Sequence, residues 1–168
     1  MEFKAWPKIQ RYSNFNIRVT EKVDGTNACI YISPEGEFGC QSRSQIITPE
    51  QDNYGFAKWA YEHKEDLLKL GHGYHYGEWY GQGIQRRYSM QEKRFALFNT
   101  FRPQESLPNG VDIVPILYDG QFDLDKLYQI EKDLVDKGSL VSPNFMDVEG
   151  MVIYFYTSKE RVKWIINK

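Results

Sequence analysis

The sequence has no excess positive charge and few cysteines, and both features restrict the functions that it can have. Its 21 lysines and arginines are outnumbered by 23 aspartates and glutamates, which gives a formal net charge of -2. No global basic field indicates nucleic-acid binding, so any such contact has to be a local patch. Cys29 and Cys40 have no metal-site spacing and follow no secretory leader. We therefore expect two reduced thiols in the core.

Long apolar runs are missing as well. No run approaches the roughly 20 residues that cross a bilayer, so a membrane is not an expected partner. The length of 168 residues is enough for one domain with a substantial core. Aromatic residues are plentiful instead, at 15% of the chain. Aromatic rings are ordinary core material, but they are also the groups on which proteins stack bases.

The stretch Glu21-Lys22-Val23-Asp24-Gly25-Thr26-Asn27 carries the most chemistry, and it follows a strand-like segment at residues 16–20. Asp-Gly is among the commonest hairpin turns, so a charged β-turn is one interpretation. The other is a covalent nucleophile that attacks the α-phosphate of a nucleotide. A lysine amine attacks only when unprotonated, so nearby cations or desolvation must oppose its ordinary pKa of roughly 10.4. An adjacent aspartate suits a hydrated Mg²⁺.

Hydrophobic periodicity predicts the elements around this stretch. Residues 27–33 and 38–42 predict a hairpin, and Thr48 before Pro49 is a helix-start signal for one helix that includes residues 51–70. Residues 122–137 predict a second helix with Asp123 as N-cap and Gly138 beyond its end. We expect this helix to bury Leu124, Leu127, Ile130, Leu134 and Val135. Further strands are predicted at residues 95–101, 112–118 (an edge strand because of Pro115), 147–155 and 161–166.

Charged residues elsewhere suggest further parts of a site. Arg43, between two serines at a strand end, suits a phosphate or ribose, although many such arginines are simply solvated. Glu78 lies among aromatic residues, where burying a carboxylate costs free energy unless it is paired or bound to a metal. A local basic patch suits a nucleic-acid backbone, with a solvated loop as the alternative. Its members are Arg86, Arg87, Lys93 and Arg94.

Six stretches, taken in order, resemble motifs of the covalent nucleotidyltransferases, the family of polynucleotide ligases and mRNA capping enzymes. They are residues 22–25 (motif I), 42–44 (Ia), 77–81 (III), 95–101 (IIIa), 148–153 (IV) and 161–163 (V). Asn27 after the lysine motif and Gly83-Ile84-Gln85 after motif III are similar to the RNA ligase 2 family. Two departures are Arg161 in the first slot of motif V, usually a lysine, and Asn99, where an aspartate is often found.

The resemblance implies an α+β fold with two packed antiparallel β-sheets and flanking helices. This is the ATP-grasp-like nucleotidyltransferase domain of ligases, with the nucleotide in the cleft between the sheets. It implies one adenylation domain over residues 1–168, without an oligonucleotide-binding (OB) fold or another carboxy-terminal domain.

It also implies a chemistry and a set of residues. Lys22 would attack ATP, AMP would pass from the lysine to a 5′-phosphate, and a 3′-hydroxyl would displace AMP and seal the strand. Asp24, Glu78 and Glu149 would hold Mg²⁺ or Mn²⁺. The nucleotide would be contacted by Glu21, Asn27, Arg43, Glu78, Phe98 and Lys163. The nucleic acid would lie on Arg86, Arg87, Lys93 and Arg94, beyond the nucleotide pocket.

The expected substrate is RNA, in a nicked duplex or with paired ends, and possibly DNA, with a role in RNA repair. Alternatives are a minimal ATP-dependent DNA ligase, a capping guanylyltransferase and a non-catalytic nucleotide- or RNA-binding module. We expect a monomer that acts in the cytoplasm, or a viral protein in the cytoplasm of its host.

Overall fold

Two β-sheets organise the chain, which the computed structural model describes at residues 2–5, 7–9, 11 and 15–166. Sheet A has four antiparallel strands in the order β10 (Arg161–Ile165), β9 (Gly150–Phe155), β1 (Asn16–Glu21) and β8 (Ile116–Gln121). Sheet B has six, antiparallel except for the last pair: β4 (Ile46–Ile47), β3 (Phe38–Ser42), β2 (Thr26–Ile32), β5 (Gly73–Gly81), β6 (Lys93–Leu97) and β7 (Val111–Ile113).

Each sheet packs one face against helices, because apolar side chains alternate with others along its strands. Sheet A buries Ile17, Val19 and Ile153 against α3 (Leu124–Lys137). Sheet B buries a larger set, including Ile30, Trp79 and Phe95, against the segment of α1 (Phe56–Glu62) and α2 (Lys64–Leu67). The two remaining faces line a cleft. The expected α+β fold is thus confirmed.

The chain passes between the sheets twice, at residues 22–25 and at Val114-Pro115. The single strand expected at residues 112–118 is therefore wrong. Val114 donates its backbone N–H to Leu97 in sheet B, whereas the Pro115 carbonyl accepts from Glu21 in sheet A, at 2.9 Å. Proline has no N–H to continue a ladder, and here it marks the change of sheet. A small apolar cluster fills this junction: Val23, Tyr80, Tyr88, Ala96 and Val114.

The single helix expected over residues 51–70 is also wrong. Thr48 and Gln51 bond to each other in a turn, and α1 begins only at Phe56. The Asp52 carboxylate satisfies the first helical N–H groups, those of Ala57 at 2.8 Å and Lys58 at 2.9 Å. The rest of the segment divides at His63 into α1, α2 and a 3₁₀ turn at Leu68–Leu70.

Helix α3 agrees better with its prediction. The Asp123 carboxylate accepts hydrogen bonds from the N–H groups of Asp125 and Lys126, at 3.0 and 3.2 Å, so Asp123 is the N-cap. Leu124 and Val135 were expected inside but are 46% and 44% exposed, because they lie on the flanks of the apolar stripe.

Both cysteines are free and buried, as expected. Within the described residues, no helix has the length and apolar character to cross a membrane.

The packing of β5 against β6 yields a stability prediction. A Cβ on Gly77 would lie 2.4 Å from the Ala96 carbonyl oxygen and 2.6 Å from the Phe95 ring, whereas a Cβ on Gly39 would meet nothing within 4 Å. Gly77→Ala should therefore cost about 1–3 kcal/mol of unfolding free energy through overpacking. Gly39→Ala, on the same sheet, should be neutral or slightly stabilising. Urea unfolding of both variants checks this, and equal midpoints would contradict the packing described.

Candidate active site around Lys22

Lys22 lies where the end of β1 meets the start of β9. Its backbone N–H donates to the Gly150 carbonyl at 2.9 Å, and its Nζ contacts the Glu149 carboxylate at 2.8 Å. The lysine side chain is 26% exposed, so the amine is open to the cleft. The structure therefore brings together the stretches that resemble motifs I and IV, although Lys22 and Glu149 are 127 positions apart.

Glu78 holds the turn after Lys22 from the side of sheet B. Its carboxylate accepts hydrogen bonds from the Gly25 N–H at 3.0 Å and from the Asn27 side-chain amide at 2.9 Å. The pKa of Glu78 is raised to about 7, mainly by burial and also by the nearby carboxylates of Asp24 and Glu149, while the Gly25 bond and Lys22 oppose the shift. Glu78 is thus a buried carboxylate that is paired, as its apolar surroundings require.

Asp24 is held by a loop that follows β5. The Asp24 carboxylate pairs with the guanidinium of Arg86, and the backbone N–H of Asp24 donates to the Tyr88 hydroxyl at 2.7 Å. This loop carries a run of left-handed residues that are not glycine: Gln85, Arg87, Tyr88 and Ser89, with φ between 44° and 61°. Such conformations cost energy and persist only where contacts impose them. The strained loop thus directs two side chains onto the turn after Lys22.

Carboxylates border Lys22 without forming a closed metal site. Across the described residues, no three histidine, cysteine, aspartate or glutamate side chains converge to hold an ion by themselves. Asp24, Glu78 and Glu149 nevertheless lie close together, since Lys22, Asp24 and Glu149 all influence the pKa of Glu78. Carboxylate oxygens are the ligands that Mg²⁺ prefers, and it keeps several of its waters when bound. The donor set fits an ion held largely through water.

The cleft next to Lys22 is a cavity of about 910 Å³ with walls from both sheets. That volume lies near the top of the range for small-molecule sites, roughly 300–1,000 Å³. Phe98, 37% exposed, faces it from the end of β6. Arg43 and Lys163 are exposed in its lining, and within residues 15–166 neither has a carboxylate partner. The expected nucleotide contacts Asn27, Arg43, Glu78, Phe98 and Lys163 therefore line one cavity.

Glu21, another expected nucleotide contact, also lines this cavity, but its carboxylate is bound within the protein. Its carboxylate is 1% exposed and accepts hydrogen bonds from the Ser139 hydroxyl and from the Leu140 N–H, at 2.8 Å for the latter. Burial raises the pKa of Glu21, and these two bonds oppose the shift. The side chain ties β1 to the segment after α3, and the expected role of Glu21 toward the nucleotide stays a prediction.

The expected basic patch is not an open surface. Arg86 pairs with Asp24 and, at 3.4 Å, with Asp147, while Arg94 pairs with Asp112 and Glu92. The guanidinium of Arg86 reaches the lysine turn, although Arg86 is not among the residues that line the cavity, so its expected contact with nucleic acid stays a prediction. Two of the four positive charges are thus already compensated. Arg87 is exposed and Lys93 is half-buried.

The sequence analysis missed several residues of the cleft. Arg18 contacts the Phe101 ring, 4.1 Å from its centroid, and Tyr74 and Tyr76 line the same cavity as Lys22. A signal was available for the tyrosines, because Tyr74, Tyr76 and Glu78 alternate along one strand and so share a face. No comparable signal marked Arg18, because Phe101, the ring that it contacts, is 83 positions away in the sequence (101 − 18).

Comparisons with solved structures identify the fold. A mutant of the Naegleria gruberi RNA ligase with AMP and Mn is 24% identical, with a TM-score of 0.67 over 92% of this chain and 50% of that chain. A second mutant of that ligase, with ATP and Mn, is 22% identical, with a TM-score of 0.68 over 93% and 51%. The chain thus spans about half the length of these solved chains. No curated protein gives a significant match.

A family model supplies the stronger evidence. The RNA ligase model matches residues 16–165, from the first residue of β1 to the last residue of β10. The match includes Lys22 and all the residues that surround it in the cleft. This chain therefore belongs to the RNA ligase family.

Proposed function

We propose that this protein uses ATP to adenylate its own Lys22 and then passes AMP to an RNA 5′-phosphate for joining to a 3′-hydroxyl. The observation that carries the proposal is the position of the Lys22 amine. It contacts Glu149 at 2.8 Å at the edge of a cavity lined by Asn27, Glu78 and Phe98, inside the region that matches the RNA ligase family. Related solved chains were obtained with ATP or AMP and Mn.

The reaction consists of three displacements at phosphorus. The Lys22 nitrogen attacks the α-phosphorus of ATP, a P–N bond forms, the bond to the bridging oxygen breaks, and pyrophosphate leaves with that electron pair. An oxygen of the RNA 5′-phosphate then attacks the same phosphorus and releases the lysine. Finally, a 3′-hydroxyl attacks the RNA phosphate and AMP leaves. Each step requires positioning and charge compensation more than covalent help.

The side chains divide this work by location. Phe98 presents its ring for stacking on adenine, and Arg43 and Lys163, which have no carboxylate partner within residues 15–166, supply cations for the ribose and phosphate side. Glu149 orients the Lys22 amine, and Glu78 fixes the turn that carries it. A divalent ion bound by Asp24, Glu78 and Glu149 through water would neutralise the charge that develops on the phosphate.

Arg86 acts through Asp24 in this proposal. The side chains of Arg86 and Asp24 are 28% and 23% exposed, and the buried Nε of Arg86 lies 3.4 Å from the Asp147 carboxylate. Two carboxylates therefore hold this guanidinium, and one of them belongs to the lysine turn. Arg86 is thus a positioning residue for the lysine turn, whereas its neighbour Arg87 is exposed.

Replacing the nucleophile gives the first test. Lys22→Ala and Lys22→Arg should both lose labelling by [α-³²P]ATP completely, since arginine retains the charge but is not deprotonated in proteins. Both variants should keep the melting temperature, because the side chain contributes little to a core. Lys69→Ala is the matched control and should label normally. Mass spectrometry that finds AMP on another lysine would overturn the assignment.

The carboxylates give the second test. Asp24→Asn, Glu78→Gln and Glu149→Gln should each slow labelling by at least about 100-fold, as expected when one electrostatic stabiliser is lost. Glu62→Gln, on the exposed side of α1, should have no effect. Rates measured across a Mg²⁺ titration separate weaker metal binding from slower chemistry. Normal labelling by Glu149→Gln at low Mg²⁺ would remove Glu149 from the site.

The adjacent arginines give the third test. Arg86→Gln should slow labelling by about tenfold or more, the equivalent of one hydrogen bond to a charged group, and should change its Mg²⁺ dependence. Arg86→Lys should restore part of the rate, and Arg87→Gln should label normally. If Arg86→Gln labels normally and loses only the joining of pre-adenylated RNA, Arg86 belongs to an RNA patch instead.

A further inference from the structure

The cleft extends well beyond the residues around Lys22. Along β5, the side chains of Glu78, Tyr76 and Tyr74 project from the same face, and all three line the cavity. Tyr31 lies opposite Tyr74 on β2. A strand rises about 3.3 Å per residue, so Tyr74 lies roughly 13 Å from Glu78 along β5. We call Tyr31, Tyr74 and Tyr76 the tyrosine face.

The rings of the tyrosine face are close to one another yet open to solvent. Tyr74 and Tyr76 have nearly parallel rings, with an interplanar angle of 11° and centroids 5.9 Å apart. Tyr31 and Tyr74 have centroids 4.6 Å apart. Tyr74 and Tyr76 are 55% and 52% exposed, although they belong to a central strand of a six-stranded sheet. Large rings left open on a central strand suit a binding surface.

The wall across from these rings is basic. Within sheet A, Arg161 lies on the cleft face, exposed, with its guanidinium 4.8 Å from the Tyr154 ring. On the side of the tyrosines, Arg102 donates to His75 Nδ1 at 2.8 Å and to the Leu70 carbonyl. Within residues 15–166 neither arginine pairs with a carboxylate, unlike Arg86 and Arg94. Positive charge without a carboxylate partner is therefore present at the tyrosine end of the cleft, in addition to that of Arg43 and Lys163.

Open aromatic rings near arginines that have no carboxylate partner within residues 15–166 form the combination that holds single strands, because bases can stack on the rings and phosphates can contact the arginines. A rigid duplex keeps its bases stacked on one another and would leave these rings unused. We propose that the tyrosine face binds unpaired RNA next to the reactive phosphate, by base stacking on Tyr74 and Tyr76 and phosphate contact with Arg102 and Arg161. This inference rests on the proposed ligase function.

Binding without ATP tests the inference separately from catalysis. The probe is a short fluorescein-labelled single-stranded RNA with a 5′-phosphate, and anisotropy gives its Kd for the full chain. Tyr74→Ala and Tyr76→Ala should each weaken binding by about tenfold, while Tyr74→Phe and Tyr76→Phe should bind like the parent because the stacking ring is kept. Tyr128→Ala, an exposed tyrosine on α3, is the control. Far-UV circular dichroism of every variant verifies folding.

Two further ligands test the mode of binding. An abasic oligomer of the same length should bind at least tenfold more weakly than the RNA, since it has phosphates but nothing to stack. A nicked duplex should depend less on the two tyrosines than the single strand does. Arg161→Gln should lower the salt slope of log Kd by about 0.7, the value for one phosphate contact with a single strand.

The outcomes separate this inference from the proposed function. Unchanged Kd values for the alanine variants, equal binding of the abasic oligomer, or no RNA binding by the parent chain would each overturn the tyrosine-face proposal. None of these results bears on whether ATP labels Lys22, which is measured in the same preparation without RNA. An unlabelled Lys22 in a chain that still binds RNA through the tyrosines would instead refute the ligase function.

Discussion

The contact between the Lys22 amine and the Glu149 carboxylate, at 2.8 Å, is the interaction around which the rest of the site is arranged. It joins the two ends of adjacent strands in sheet A, while the bond from Gly25 to Glu78 ties the same turn to sheet B. An amine that has to attack a phosphate must be fixed in direction, and contacts from both sheets provide that. Because the turn connects the sheets, the geometry of the lysine depends on the packing of both.

Much of this arrangement was predictable from local sequence. The Lys-x-Asp-Gly turn, the buried Glu78 and the N-cap Asp123 each have a short-range signal, and all lie where their patterns indicate. The errors have two different causes. The start of α1 is fixed by a local contact, because the Asp52 carboxylate accepts from the N–H groups of Ala57 and Lys58, and apolar periodicity does not report such a contact. The change of sheet at Pro115 depends instead on hydrogen-bond partners that are distant in sequence.

The basic residues illustrate the same limit. Composition favoured Arg86 and Arg94 as a free patch, since four cations lie within nine residues (86–94). The structure places aspartates against both, and their charge is used inside the protein. The sequence shows where the charged residues are, but only the structure shows which of them lack a partner of opposite charge. Within residues 15–166, Arg102 and Arg161 beside the exposed tyrosines have no carboxylate partner, and the same holds for Arg43 and Lys163 in the same cleft.

The most direct test of covalent chemistry at Lys22 is the reversibility of the modification. Incubation with ATP and Mg²⁺ should add one adenylyl group to the intact mass of the protein, and removal of ATP followed by addition of pyrophosphate should remove the group and regenerate ATP. That return follows from a displacement in which pyrophosphate is the leaving group. A mass that does not change with ATP, or an adduct that pyrophosphate cannot reverse, would contradict the account.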